Sequence, residues 1–244
     1  SQSGFSSKKV RILTKRHRKI FIFMLNKKET YILIAIIIVL IGGFIILGAY
    51  LKKNPQNKGP ALPIDAITSS DWVKGDKSAK TILIEYSDFQ CPACAAYQPM
   101  AKQITEEFGD KIAFVYRHFP LSQHQNAQLA ATASEASGHQ NKFWEMHDLI
   151  FENQGNWSDL NKSKAEELFI KYAETLGLNI EQFKNDLDSD EIKNKVNSDL
   201  ISGETAKVNS TPTFFLNGKK IQPRSYEEFR EMILSRIDTQ PDKQ

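Results

Sequence analysis

Cysteine is scarce in this chain: two in 244 residues, Cys91 and Cys94, beside 32 Lys and Arg and 29 Asp and Glu. Two cannot make the set of cross-links that holds small exported folds together, and they leave no second pair for a four-cysteine metal site. Neither closes the apolar run near the N-terminus, where a lipid-modified anchor would need one. Charge is missing from that run, Tyr31 to Leu51, which has the length of a helix crossing a bilayer core of about 30 Å. A cleaved signal has a shorter apolar core and a small-x-small exit; this run ends Gly-Ala-Tyr-Leu-Lys-Lys. It reads as an uncleaved single-pass anchor.

Acidic residues are nearly missing before the span, where nine Lys and Arg meet only Glu29. This asymmetry predicts a cytoplasmic N-terminus and an extracytoplasmic domain at the cell membrane, although Lys52 and Lys53 weaken the contrast. After residue 51, 23 Lys and Arg face 28 Asp and Glu, a difference of −5. A nucleic-acid partner is therefore not indicated. Met24-Leu25-Asn26-Lys27-Lys28 before the span reads as a natural start, so residues 1–23 are expected to be foreign or upstream sequence. The expected map is a basic tail 1–30, an anchor 31–51, a Pro/Lys stalk 52–64, one folded domain 65–238 and a short tail 239–244.

Internal repeats and low-complexity tracts are lacking in the domain, whose roughly 175 residues can bury one core without disulfides. Thr81–Tyr86 is a short apolar, β-branched run, the pattern of a strand covered on both faces. Ala95–Phe108 reads as a helix stopped by Gly109, and Lys111–Arg117 as a second strand, together a βαβ unit. Helices are expected near 123–137, 140–152, 163–175, 179–187 and 189–207, divided by Gly138, Gly155 and Gly177. Their apolar stripe, with Phe143, Trp144 and Trp157, reads as core. Pro212–Leu216, Asn217-Gly218 and Lys219–Ile221 predict a hairpin, and Tyr226–Ile237 a closing helix with Ser225 as N-cap.

Cys91-Pro92-Ala93-Cys94 falls at the junction of strand and helix. A thiol there meets unpaired N–H groups and the positive end of the helix dipole, which favour the thiolate. Cys91, nearer the helix start and expected to be the more exposed, is the candidate nucleophile and Cys94 the resolving cysteine. A zinc site would need two more ligands, for which His118 and His124 are formally available. An inert disulfide is disfavoured because it would close only a tiny loop. His118, after the second strand, could line the site or be an ordinary loop residue.

The order strand, Cys-x-x-Cys, helix, strand, helical block, Thr-Pro, hairpin, helix resembles the DsbA-like family of extracytoplasmic thiol:disulfide oxidoreductases. The matching segments are Tyr-Ser-Asp-Phe-Gln-Cys91-Pro92-Ala93-Cys94 and Asn-Ser-Thr211-Pro212-Thr-Phe-Phe. The resemblance, over residues 65–238, implies an α/β thioredoxin-like fold with a mixed sheet and a helical subdomain inserted at about 122–207. It implies that Pro212 is cis and close to the cysteines, with the Thr211 backbone free to bind an extended substrate; a trans proline starting an edge strand is the plainer alternative. It also implies that Glu85 is a buried acid able to exchange a proton with Cys94, whereas a Glu at a sheet edge would simply reach water. The expected activity is introduction of disulfides into exported proteins, with no soluble cofactor and with a DsbB-like or VKOR-like (vitamin-K-epoxide-reductase-type) membrane partner to reoxidise the pair. Ala93 stands where well-known members have His, which weakens the expected oxidising power and keeps a disulfide isomerase or reductase open. A metal-binding or metal-delivery module using the thiolates is the alternative of another class.

Overall fold

Apolar residues at successive positions commit Thr81–Ser87 to a strand with cover on both sides, and this strand, β2, lies at the centre of a five-stranded sheet. The computed structural model describes residues 27–53 and 63–237. The order is β1 (Trp72–Gly75), β3 (Ile112–His118), β2, β4 (Thr213–Leu216), β5 (Lys219–Ile221). β2 and β3 are parallel and every other pairing is antiparallel. The mixed sheet, its flanking helices and the helical insertion match the fold class expected above.

Two units divide the chain, Ser1–Asn57 and Lys58–Gln244. In the first, α1 spans Lys27–Lys53. Among the described residues no helix is long and apolar enough to cross a membrane. The expected tail up to residue 26, the stalk from 54 to 62 and the C-terminal tail 239–244 lie outside the described residues.

In the second unit α2 (Pro92–Phe108) crosses between β2 and β3. Alternation along the strands puts Leu83, Glu85, Phe114 and Tyr116 on one face, in register as Leu83–Phe114 and Glu85–Tyr116. Ala101, Ile104 and Phe108 of α2 cover part of that face together with Phe229 and Ile233 of the last helix, α9 (Tyr226–Ile237). Burying an aromatic or aliphatic side chain as Phe229 and Ile233 are buried is worth about 2 kcal/mol each. The opposite face carries Ile84, Tyr86, Val115 and Phe215 against Phe119 and Val208. The insertion comprises α3 (Ala127–Gly138), α4 (Phe143–Glu152), α5 (Gln154–Trp157), α6 (Lys162–Thr175), α7 (Ile180–Leu187) and α8 (Asp190–Thr205).

Several details depart from expectation. β1 carries no sequence signal, being four residues of which three are half-buried. Its Trp72 stacks on Phe143 at 4.9 Å and donates Nε1–H to Glu135 at 2.8 Å. Gly138 ends α3 before α4 begins at Phe143, and a Cβ there would come within 2.2 Å of the Trp72 ring. Gly155, by contrast, lies inside the one-turn α5. Gly109 does stop α2, but at a right-handed φ of −59°. Gly75 beside it has a left-handed φ of +93°, and a Cβ there would meet the Ile112 carbonyl oxygen at 2.5 Å. Asn217 and Gly218 turn the hairpin with φ of 47° and 76°, and Ser225 Oγ caps α9 by accepting from Glu228 N–H at 3.2 Å.

Candidate active site around Cys91 and Cys94

The loop leading into α2 is held from below. Asp88 Oδ1 accepts from Gln90 N–H at 2.7 Å, while Oδ2 accepts from Leu121 N–H at 2.8 Å and contacts His124 Nδ1 at 2.7 Å. Gln90 reaches the insertion, donating to the Ser158 carbonyl and accepting from Asn126 N–H. Gln154 of α5 donates to the carbonyls of Phe89 and Cys91 at 2.7 and 3.0 Å. Asp88 and Gln90 lie within the motif segment; the contact of His124 with Asp88, in place of a zinc-ligand role, and that of Gln154 with the loop carbonyls depend on packing between distant segments and have no local signal.

α2 starts at Pro92, not at Ala95, so Cys91 is its N-cap residue and Cys94 lies in the first turn. A proline suits this first position because its missing N–H would have no partner there. Both cysteines are free thiols. Cys91 is the more accessible, as expected, but only at 8% against 0% for Cys94, so both are buried. The cover comes from far along the chain: Cys91 Sγ–H donates to the Thr211 carbonyl at 3.5 Å. The Thr211–Pro212 bond is cis, the isomer implied by the resemblance. Thr211 Oγ1 is buried, with no hydrogen-bond partner apart from its influence on the Cys91 sulfur.

The two thiols are driven in opposite directions. Donation from the Cys94 thiol is the main influence holding Cys91 down at about 5, with burial opposing and the Thr211 side chain and the N–H groups of Cys94 and Ala93 assisting. Burial pushes Cys94 up, reinforced by its bond to Cys91 and by the negative charge of Glu85. Glu85 stands in the central strand, which removes the sheet-edge alternative, and is 4% exposed. Burial raises its carboxyl to about 7 against partial relief from the Ser87 hydroxyl. The fold thus brings Cys91, Cys94 and the Thr211–Pro212 bond together, with Glu85 beneath Cys94.

The metal alternative is not assembled. His118 is no loop residue but the end of β3, and its Nε2 lies 2.8 Å from Glu135; His124 is turned to Asp88. Among the described residues one group of potential ligands occurs, His118, Glu135 and Asp199, and it contains neither cysteine. Lys195 already supplies a cation there, 2.5 Å from Asp199.

A family model described as thioredoxin matches residues 68–234. The chain belongs to the thioredoxin family. Among solved structures this thioredoxin-family chain is similar to alpha-DsbA1 of Wolbachia pipientis, at 22% identity and a TM-score of 0.64 over 71% of this chain and 94% of that one. It is similar also to oxidised BdbD of Bacillus subtilis, at 23% identity and a TM-score of 0.63 over 74% and 100%. At these identities the likeness is one of fold. A curated relative, "Na(+)/H(+) antiporter NhaA 1" of Mycobacterium sp. (strain KMS), is 37% identical over 171 residues, which is 68% of this chain and 26% of the antiporter. The chain thus spans about a quarter of the length of the curated relatives it matches.

Proposed function

We propose that this chain is a membrane-anchored thiol:disulfide oxidoreductase that passes the Cys91–Cys94 disulfide to exported proteins. The observation that carries this reading is the division of labour between the two thiols: Cys91 ionises at about 5 at a helix start beside a cis-proline, while Cys94 is held protonated below it. A substrate thiolate attacks Cys91 Sγ, the S–S bond breaks, and Cys94 leaves as a thiolate that takes a proton from Glu85. A second substrate thiolate then attacks the substrate sulfur of the mixed disulfide and releases Cys91 as a thiolate. Two electrons have passed to the protein and the substrate has gained a disulfide. A DsbB-like or VKOR-like membrane protein would accept those electrons; no soluble cofactor is needed.

A low nucleophile pKa stabilises the reduced form and makes the disulfide a stronger oxidant. Cys91 at about 5 lies between DsbA at ≈3.5 and thioredoxin at ≈7. Ala93 supplies no imidazolium, and this favours as second reading an isomerase or reductase with the same residues. The anchor reading is supported by the uncharged run Tyr31–Leu51 and by exposed apolar side chains along α1, such as Ile38 at 63% and Val39 at 72%, which lipid would cover. Occurrence of a similar domain within a membrane antiporter fits an anchored domain; antiport itself is not proposed for this chain.

Cys94→Ala expressed in cells should accumulate mixed disulfides on Cys91 with exported proteins. A folded variant that carries no adduct overturns the nucleophile assignment. A reduction potential near −120 mV supports the oxidase, and one near −270 mV the reductase.

A further inference from the structure

Reoxidation of the reduced pair requires Cys94 to give up a proton, yet its side chain is fully buried and Glu85 beneath it is 4% exposed. Tyr116 stands opposite Glu85 in the β2–β3 register. Ser87 follows Glu85 by two residues on the same face of β2, and its hydroxyl favours the ionised form of both Glu85 and Tyr116. Beyond Tyr116, His147 on α4 meets the phenol ring edge to face, with centroids 4.7 Å apart at 85°. Asp148 contacts His147 Nδ1 at 2.9 Å. An ionised carboxylate only accepts, so Nδ1 carries the ring proton and Nε2 a lone pair.

Three buried polar atoms here have no hydrogen-bond partner: Ser87 Oγ, Tyr116 Oη and His147 Nε2. Native interiors keep few such atoms, and each calls for a reason. Tyr116 has an O–H without an acceptor, and His147 beside it has a lone pair without a donor. A bridging water is one route by which such a donor and acceptor are joined in a protein interior. At the far end Asp148 is 25% exposed and accepts from Gln98 Nε2 at 3.1 Å.

We propose that Ser87, Tyr116 and His147 form a proton relay between Glu85 and solvent at Asp148. This rests on the oxidoreductase reading above. During reoxidation the Cys91 thiolate attacks an oxidant disulfide and expels one thiolate. Cys94 passes its proton to Glu85, attacks Cys91 Sγ and expels the second. The proton on Glu85 moves through Ser87 to Tyr116 as Tyr116 gives its own to His147 Nε2 and Nδ1–H is released to Asp148. One proton leaves, and none is stored. Reduction of the disulfide runs the path in reverse.

Charged and titratable groups facing this path are Asp148, Lys74 and His118 around His147, and Glu85, Cys94 and Asp88 around Tyr116. His118 is the rival exit, with its ring 5.3 Å from Tyr116 and Nδ1 also unpartnered. Its other nitrogen, however, ends on Glu135, which is only 4% exposed and already bonded by Trp72.

The test is single-turnover oxidation of the reduced full chain by oxidised glutathione, in H₂O and D₂O, read by acid quench and thiol alkylation. Tyr116→Phe and His147→Gln should each slow closure of the Cys91–Cys94 bond about tenfold or more. The solvent isotope effect should grow while the reduction potential stays fixed, because a relay changes rates and not end states. Tyr116→Phe should fold at least as stably as the parent, since it removes an unpartnered buried hydroxyl. Wild-type closure rates in both variants, or slowing by His118→Gln in place of His147→Gln, overturn the relay alone. An unmodified chain that does not exchange with glutathione disulfide overturns the oxidoreductase reading and the relay with it.

Discussion

Mouth and floor of the site each hold one thiol, in the same turn of α2, yet they treat negative charge in opposite ways. At the mouth, N–H groups of the helix start, the Cys94 thiol and the Thr211 side chain gather around Cys91 and bring it to about 5. On the floor, Cys94 faces burial and the Glu85 carboxyl, which drive it up. Sequence separation is three residues; depth does the rest. A motif with two cysteines becomes directional only because one lies at the cap of the helix and the other over the middle of a sheet. The contrast also explains why the floor needs a proton carrier and the mouth does not.

The most severe way to break this contrast is Cys91→Ser, which should lower exchange with glutathione by about three orders of magnitude or more while Cys94 remains poorly alkylated at pH 7. Rapid alkylation of Cys94 in that variant would show that the floor does not suppress its thiolate.

Glu85→Gln acts on the floor alone. Burial raises the folded carboxyl to about 7 from an ordinary 4.5, so the native state binds the proton more tightly than the unfolded chain. Stability therefore falls as pH rises from about 4.5 through about 7, by on the order of 3 kcal/mol. The variant should be more stable than the parent by up to that amount at pH 8 and equal to it below pH 4. Denaturant titrations at the two pH values check this; an equal effect at both would show that ionisation is not the cause.

At the mouth, Ala93→His should add a positive partner, lowering the Cys91 pKa by about one unit and moving the potential about 30 mV toward the oxidising side. Thiolate ultraviolet absorbance and a glutathione redox titration read the two effects, and an unchanged potential would separate oxidising power from the residue between the thiols. The smallest expected effect is that of Thr211→Val, which removes a buried hydroxyl with no other partner and should raise the Cys91 pKa by a few tenths of a unit. A fall instead would mean that the hydroxyl opposes the thiolate.

Local chemistry made much of this readable in the chain. Cys91 at a strand–helix junction, Asn217-Gly218 between short strands and Ser225 before an acidic first turn each carry their signal within a few residues. Glu85 was legible because an acid interrupts an apolar run. β1 was not, since Trp72-Val73-Lys74-Gly75 has no period and becomes a strand only by pairing with β3. Burial of Cys91 has no local signal because its cover, Thr211, comes from the far end of the domain. Tyr116 and His147 carry no local signal; their meeting depends on how α4 packs on the sheet.

Trp72 has a further consequence for how the domain comes apart. Its indole is clamped between Phe143 and the gap left at Gly138, and bonded to Glu135, while its backbone belongs to the sheet edge. Peeling β1 from β3 would therefore uncover α3 and α4 in the same event. Sheet and insertion, which look like separable modules along the chain, are thereby coupled at the sheet edge as they are at His118–Glu135 and Tyr116–His147, and are expected to open together.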